Sequence, residues 1–261
     1  MKIVEIFKDG LTYPSNNWQN VLILGLLTII ANIVLVIPAI GISLNSIGFT
    51  GIVLTIVSII SFIINLIIMG YGFSIIKNTV NNMDTIPSFE IGNDILNGLK
   101  ILIISIVYYI IPVIITILVA IASGAFNNLA QIIALSGGAV SNELAFNLFA
   151  SFFAVMIVGI ILLIITTLII TIGIARFAEK GNMGAAFEFG EIFNTIKKIG
   201  WGNYIVWYIL LFIILFIVGF IMGIINLIPF IGFIITLLVI NPYLVMFSSR
   251  ATGLIYNEKN S

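Results

Sequence analysis

Apolar runs of twenty or more residues dominate this chain, and they constrain its fold more than any other feature. A helix rises about 1.5 Å per residue, so about twenty residues cross the roughly 30 Å hydrocarbon core of a bilayer. Hydrophobic residues make up 61% of the 261 positions and charged residues only 8%, which is more apolar surface than a soluble domain can bury. The sequence therefore predicts an all-α integral membrane protein.

The apolar runs predict six membrane spans. The last two come from one nearly continuous stretch, Tyr204 to Leu244, which as a single helix would be about 60 Å long and too long for one crossing. Asn226 and Pro229 interrupt it, and proline suits the first turn of a returning helix. The chain, 1–261, is then a single polytopic membrane domain with approximate spans at 19–40, 52–76, 101–122, 148–175, 203–225 and 228–248.

All ten basic residues fall on one side of this predicted membrane. They lie in the segments before span one, between spans two and three, between spans four and five, and after span six, whereas the three opposite loops carry only Glu143 as a charged residue. Lys and Arg concentrate in cytoplasmic segments of membrane proteins. We therefore expect a multi-pass protein of the cell membrane with both termini in the cytoplasm.

An acidic and aromatic pattern precedes each predicted hairpin. It reads EIFKDGL from Glu5, FEIGNDILNGLK from Phe89 and FEFGEIFNTIKK from Phe187. The apolar residues of the two later copies recur at helical spacing, which is typical of an amphipathic helix in the membrane interface. The sequence therefore predicts three tandem transmembrane hairpins, each preceded by a short amphipathic interfacial helix.

The longest predicted outer loop, residues 123–146, contains both helix breakers and apolar residues. Gly137 and Gly138 break any helix, while Leu129, Ile132 and Ile133 are apolar enough to lie on the membrane surface. We expect a small outer cap; the alternative is a re-entrant segment, whose backbone would have to be covered by protein.

Paired acids form the first candidate site. Glu90 with Asp94, and Glu188 with Glu191, have spacings that put each pair on one helical face, where carboxylates can bind a divalent cation or divide acid and base roles. The favoured alternative is that acids at the start and lysines at the end of a short helix complement its dipole. We therefore predict no catalytic residue, no metal site and no cofactor.

Three basic residues form the second candidate site. Lys77, Arg176 and Arg250 end the even-numbered spans, where they could line an inner vestibule and receive an anion or a lipid phosphate. The favoured alternative is snorkelling, in which a cationic head reaches the lipid headgroups while its stem covers apolar surface.

Polar residues inside the spans are uncharged. Asn65 lies deep in span two and could contact a substrate or a sodium ion, although a hydrogen bond to a neighbouring helix is the favoured reading. Gly219 and Gly223 make a GxxxG pattern in span five, which lets two helices approach closely. Prolines at positions 38, 112 and 242 should kink or end their spans by removing a backbone donor.

The stretch GIARFAEKGNMGAAFEFGEI, from Gly173 to Ile192, resembles an uncharacterised group of prokaryotic multi-pass membrane proteins, the domain-of-unknown-function family 4013. The resemblance rests on ARFA from Ala175 and AAFEFGEI from Ala185, and the opening of the chain up to Trp18 is similar as well. The resemblance implies a multi-pass membrane protein and brings no activity, substrate or catalytic residue with it.

Composition excludes several function classes. The chain has no cysteine, no histidine and a formal net charge of zero, which argues against thiolate, imidazole and nucleic-acid-binding chemistry. We therefore expect a non-enzymatic membrane scaffold or partner-binding subunit, in contact with the lipid bilayer and with other membrane proteins or a second copy of itself. The alternatives are a permease or channel-like subunit for a small or lipophilic solute, and a lipid-modifying enzyme using Glu188 and Glu191.

Overall fold

The computed structural model describes residues 2–34, 51–135 and 137–260, and every regular element in these ranges is helical. Long apolar runs satisfy their backbone hydrogen bonds within each segment only as helices, which is what a bilayer requires. In chain order the helices are α1 (Ile3–Thr12), α2 (Trp18–Ala31), α3 (Gly51–Val80), α4 (Ile91–Ala122), α5 (Ala125–Ala134), α6 (Asn142–Lys180), α7 (Phe189–Ile199), α8 (Trp201–Ile225), α9 (Ile231–Ile235) and α10 (Asn241–Asn257).

Five helical segments of the described chain are long and apolar enough to cross a membrane. They are α3, α4, α6, α8 and the run Ile231–Asn260, which contains α9, a π-helical turn and α10. The helix α2 is apolar but shorter, and the end of the predicted first span, residues 35–40 with Pro38, lies outside the described residues. The described part of the chain is therefore all-helical, with five candidate membrane spans.

Two of the three predicted interfacial helices are separate elements. The helix α1 is followed by a 3₁₀ turn, Tyr13–Asn16, that contains Pro14, and α7 ends at Gly200, whose φ of 90° turns the chain into α8. The second predicted interfacial helix does not exist as a separate element, because α4 runs without interruption from Ile91 to Ala122. Between Leu99 and Ile101 stands Lys100, and neither glycine nor proline breaks the helix there.

The last span contains a backbone irregularity where the sequence predicts one. The residues Thr236–Ile240 form a π-helical turn immediately before Pro242, whose ring nitrogen cannot donate a helix hydrogen bond. Helix α2 crosses at this turn, since a Cβ added to Gly25 would lie 2.0 Å from the Leu238 carbonyl oxygen. A glycine at this crossing lets the two backbones meet.

The helical chain forms two compact units. The first unit contains residues 1–102 and 171–261, and the second contains residues 103–170. The first unit has a buried cluster of aromatic and aliphatic side chains from the 3₁₀ turn Tyr13–Asn16 and from α2, α3 and α10. Its members are Tyr13, Val21, Leu24, Tyr71, Ile75 and Met246.

A reciprocal glycine contact joins α3 to the first turns of α4. A Cβ added to Gly70 would lie 1.8 Å from the Asp94 carbonyl oxygen, and one added to Gly98 would lie 2.0 Å from the Leu66 carbonyl oxygen. Real Cβ atoms do not approach backbone oxygens this closely. Both glycines are therefore required for this crossing, as small residues commonly are where membrane helices pack closely.

The second unit contains parts of α4 and α6 together with α5. The predicted outer loop carries the helix Ala125–Ala134, and Gly137 beyond it has a φ of 86°, so the glycine does end the helical segment as expected. Helix α4 continues through Pro112, and the Thr116 hydroxyl donates to the Pro112 carbonyl at 2.8 Å. Whether residues 123–146 form an outer cap or a re-entrant segment stays a prediction.

Candidate functional site

The ends of three long helices, α3, α6 and α10, contact one another in the first unit. Each pair of helix ends packs closely, through a glycine beside a serine, through two aromatic rings or through a hydrogen bond. The contacts join Gly72 to Ser249, Phe73 to Phe177 with ring centroids 4.4 Å apart, and the Tyr256 hydroxyl to Glu179 Oε2 at 2.9 Å. These helix ends are the ones that carry Lys77, Arg176 and Arg250.

Each helix end also bonds to an amphipathic segment, and we call these three places polar junctions. In the first junction α3 meets the start of α4, in the second α6 meets the segment before α7, and in the third α10 meets α1. The third junction joins the C-terminal helix to the N-terminal helix. The three junctions therefore connect the ends of α3, α6 and α10 to the start of α4, the segment before α7 and α1.

The third junction is built around Arg250, whose side chain is only 4% exposed. Its Nε donates to Asp9 Oδ1 at 2.7 Å, and its Nη2 donates to Asp84 Oδ1 at 2.7 Å. Its Nη1 donates to the Thr79 hydroxyl and to the Met83 carbonyl, each at 3.4 Å. A buried guanidinium needs such a set of acceptors, because an unpaired charge away from water costs on the order of several kcal/mol.

Tyr13 covers one face of this guanidinium. The Arg250 Cζ lies 4.9 Å from the centre of the Tyr13 ring, which is within the range of a cation–π contact. The Tyr13 hydroxyl donates to the Thr85 carbonyl at 3.4 Å. Burial raises the pKa of Tyr13 to about 12, although the nearby Arg250 charge works in the opposite direction.

The second junction is built around Arg176, whose side chain is 7% exposed. Its Nη2 donates to Glu188 Oε2, its Nη1 lies 3.9 Å from Glu191 Oε2, and its Nε donates to the Ala185 carbonyl at 3.4 Å. The two acids predicted to share a helical face thus do act together. They neutralise one buried arginine.

The first junction has a hydroxyl and a carboxylate where the other two have an arginine and a carboxylate. The Ser74 hydroxyl donates to Asp94 Oδ1 at 3.2 Å, and Asp94 Oδ2 accepts from the Glu90 backbone N–H at 3.0 Å. Asp94 is 1% exposed. The predicted Glu90 and Asp94 pair therefore caps the start of α4, in agreement with the dipole interpretation.

Lys77 stands beside the first junction but takes no part in it. Its ammonium makes no hydrogen bond or ion pair with any residue that the structure describes. A cavity of about 460 Å³ opens next to it and is lined mainly by polar residues. The lining comprises Ser74, Lys77, Asn78, Met83, Pro87, Ser88, Glu90, Asn93 and Asn97.

The basic trio therefore has two buried members and one exposed member. Arg176 and Arg250 are themselves buried and bond to acids of the protein, so snorkelling does not describe either of them. Lys77 is exposed, as snorkelling expects. A ring of three equivalent cations around one vestibule does not form, because each stands in a junction with different partners.

Asn65 donates its amide to the Ser61 carbonyl one turn earlier at 2.9 Å, and its side chain is exposed. This is a bond within its own helix, whereas the favoured sequence interpretation was a bond to a neighbouring helix. Local bonds of this type satisfy a polar side chain in an apolar span without a second helix. Asn65 is separate from the polar junctions.

The sequence missed several junction residues. Asp9 lies within the recurring acidic segment, so the repeat could have indicated it, but Asp84 lies in a loop that has no repeated pattern. Ser74 and Tyr13 are ordinary residues in apolar surroundings, and their contacts with Asp94 and Arg250 depend on the tertiary fold. Among the described residues, no group of three or more acidic side chains is arranged to hold a metal ion.

The fold and the junctions define an all-helical class of protein, with five candidate membrane spans in its described residues and buried arginines at the ends of apolar helices. The family model described as a protein of unknown function (DUF4013) matches residues 53–227. The chain belongs to this family, as the resemblance around Arg176 predicted. Neither the curated proteins nor the solved structures contain a match to this chain.

Proposed function

We propose that this protein is a non-enzymatic membrane protein that holds a partner protein through the apolar faces of its spanning helices. The polar junctions are the fixed base of this arrangement, and the helices that leave them are the binding surface. The family assignment brings no activity with it, so the proposal rests on the physical properties of these surfaces.

The observation that carries the proposal is the exposure of α8. No residue is buried in an apolar stretch of 18 residues within this helix, and its buried residues, Tyr204 and Trp207, lie near its start. Phe212, Phe216 and Phe220 are each more than 60% exposed. A membrane helix gains from packing as well as from lipid contact, so a spanning helix with so many free faces favours a protein neighbour.

The interfacial helices are less suited to this role than their sequences suggest. Helix α7 buries Ile192, Ile196 and Ile199, and α1 buries Ile6 and Phe7. These apolar faces are already used inside the first unit. A partner would therefore meet the spanning helices more readily than the interfacial ones.

Photocrosslinking tests the proposal. A photoreactive phenylalanine analogue at Phe216 should give a discrete protein adduct in intact membranes, whether the partner is another membrane protein or a second copy of the chain. The same analogue at Phe247, which is fully buried, is the matched control and should give none. Lipid adducts alone at both Phe216 and Phe220 would contradict the proposal.

We also propose six crossings, with both termini in the cytoplasm of a cell-membrane protein. The support is the one-sided distribution of the ten basic residues and the paired repeats. The chain has no cysteine, so single cysteines report cleanly. An impermeant thiol reagent should label Ser141→Cys in intact cells and Ser88→Cys only after the membrane is opened; the reverse pattern would refute this topology.

A carrier of lipophilic solutes is the second candidate, and one cavity favours it. In the second unit a cavity of about 460 Å³ is lined by Tyr109, Pro112, Thr116, Gly159, Leu163 and other mostly apolar residues. Such a lining suits an apolar solute better than an ion. Uptake of a lipophilic solute into proteoliposomes that Gly159→Leu abolishes and Gly219→Leu does not would favour this candidate over the scaffold.

A further inference from the structure

The basic residues at the three helix ends differ in how their charge is satisfied. Arg176 is neutralised by Glu188, and Arg250 is neutralised by Asp9 and Asp84. Lys77 has no such partner in the part of the chain that the structure describes. In place of an acid from the protein, an open cavity lies next to Lys77.

The cavity carries one charge of each sign. Lys77 supplies an ammonium, and Glu90 supplies a carboxylate whose Oε2 accepts from the Asn93 amide at 2.5 Å. Asn97 lines the cavity too, and its side chain makes no hydrogen bond to a described residue. A ligand with a negative group and a positive group would complement this lining, while a simple anion or a simple cation would meet one charge of its own sign.

The position of the cavity further limits the class of ligand that it can bind. Lys77 directly follows the apolar run 52–76, which is the level where a spanning helix meets lipid headgroups. Its ammonium is a compact donor that suits a phosphate oxygen, whereas Glu90 accepts hydrogen bonds and so selects a primary ammonium over a quaternary one. Both groups occur together in an ethanolamine phosphate.

We propose that the cavity at Lys77 binds an ethanolamine phosphate group, with its phosphate at Lys77 and its ammonium at Glu90, presented by an aminophospholipid of the surrounding bilayer. The amides of Asn93 and Asn97 supply further donors to the phosphate. The phosphate would then neutralise Lys77, as acids of the protein neutralise Arg176 and Arg250.

Native mass spectrometry of the full chain, delipidated in mild detergent, tests the site with phosphatidylethanolamine and with phosphatidylcholine of the same acyl chains. We expect phosphatidylethanolamine to bind more tightly, because the quaternary ammonium has no N–H for Glu90. Lys77→Gln should weaken phosphatidylethanolamine binding by about tenfold, the effect of one charge-assisted hydrogen bond. Glu90→Gln should remove the preference for phosphatidylethanolamine over phosphatidylcholine.

Lys198→Gln is the matched control, because Lys198 is an exposed lysine at the end of α7 and does not line the cavity at Lys77. This substitution should leave lipid binding unchanged. Free phosphoethanolamine separates the two sources of the ligand: competition with the lipid assigns a soluble ligand, and lack of competition assigns the lipid. Equal binding of the two lipids, or equal effects of Lys77→Gln and Lys198→Gln, would overturn the proposal. Unfolding temperatures of the variants, expected to match the parent, verify that each is folded.

Discussion

The two units of this protein differ in the kind of contact that stabilises each of them internally. In the first unit, buried arginines bond to carboxylates and glycines allow backbones to touch, as Arg250 with Asp9 and Gly70 with Asp94 illustrate. The second unit has mainly apolar side chains, with isolated polar bonds such as Tyr109 with Thr167 at 3.3 Å. Directional bonds fix one arrangement, whereas apolar faces pack against lipid or against another helix without fixing one arrangement. The helix ends of the first unit are therefore fixed by directional bonds, and the proposed binding surface is the free apolar face of α8 in the same unit.

Removing both acids from Arg250 should produce the largest loss of stability. The double change Asp9→Asn and Asp84→Asn leaves a guanidinium that is only 4% exposed without a counter-charge, at a cost of about 3–5 kcal/mol. Chemical unfolding in detergent measures the loss. Adding Arg250→Met should restore part of the stability, because an apolar side chain of similar size no longer needs a partner.

The control for this double change is an acid outside the three junctions. Glu143→Gln, which alters an exposed acid at the start of α6, is the control and should change the free energy of unfolding by less than about 0.5 kcal/mol. A double variant as stable as the parent would mean that the third junction does not hold α10 to α1.

Adding one methyl group at a backbone crossing should have the next largest effect. A Cβ on Gly70 would lie 1.8 Å from the Asp94 carbonyl oxygen, so Gly70→Ala must move α3 away from α4, at a cost of about 1–3 kcal/mol. Gly219 has no heavy atom within 4 Å of the same position, so Gly219→Ala should be neutral or slightly favourable for helix stability. Comparable unfolding free energies for the two alanine variants would remove the distinction between packed and free faces.

The second junction allows a finer comparison of two acids on one arginine. Glu188→Gln should destabilise the protein by about 1 kcal/mol, because Glu188 makes the direct bond to the buried Arg176. Glu191→Gln should cost less than about 0.5 kcal/mol, because this carboxylate is 3.9 Å away and largely exposed. Unfolding of both variants at low and high salt checks this order, and a larger loss for Glu191→Gln would show that the pairing is different.

The smallest effect at neutral pH concerns Tyr13. Burial raises the pKa of its phenol to about 12, so the folded state favours the neutral form. The resulting stabilisation is fully present below the ordinary pKa of about 10 and is lost as the pH rises through 12. Ultraviolet titration of the parent minus Tyr13→Phe should show a phenol that ionises near pH 12; ionisation near pH 10 would place Tyr13 outside the junction.

Sequence reasoning predicted the helical class and most spans, because run length and hydropathy are local properties. It predicted separate interfacial helices wherever acidic and apolar residues recur. The structure confirms that α1 and α7 are separate helices, after which Pro14 and Gly200 interrupt the chain, while their place in the membrane interface stays a prediction. It was wrong before span three, where nothing interrupts α4. The amphipathic pattern records which face is buried and not where a helix ends.

The junction partners could not be predicted in the same way. Arg250 and Asp9 are 241 residues apart, and the repeats show that each helix end has an acidic segment nearby without showing which segment it meets. The sequence also treats Lys77, Arg176 and Arg250 as equivalent. Their different burial depends on tertiary contacts, such as those from Asp84 and Ala185.

The ends of α3, α6 and α10 meet in the first unit, and one engineered disulfide tests the contact between α3 and α10 most directly. A Cβ on Gly72 lies 3.0 Å from Ser249 Oγ, a separation compatible with disulfide geometry, and the chain has no cysteine of its own. Gly72→Cys with Ser249→Cys should form an intramolecular disulfide under mild oxidation, detected by loss of thiol alkylation in intact-mass spectra, while Gly219→Cys with Ser249→Cys should stay reduced. Two free thiols in the first pair, in a folded protein, would contradict the account.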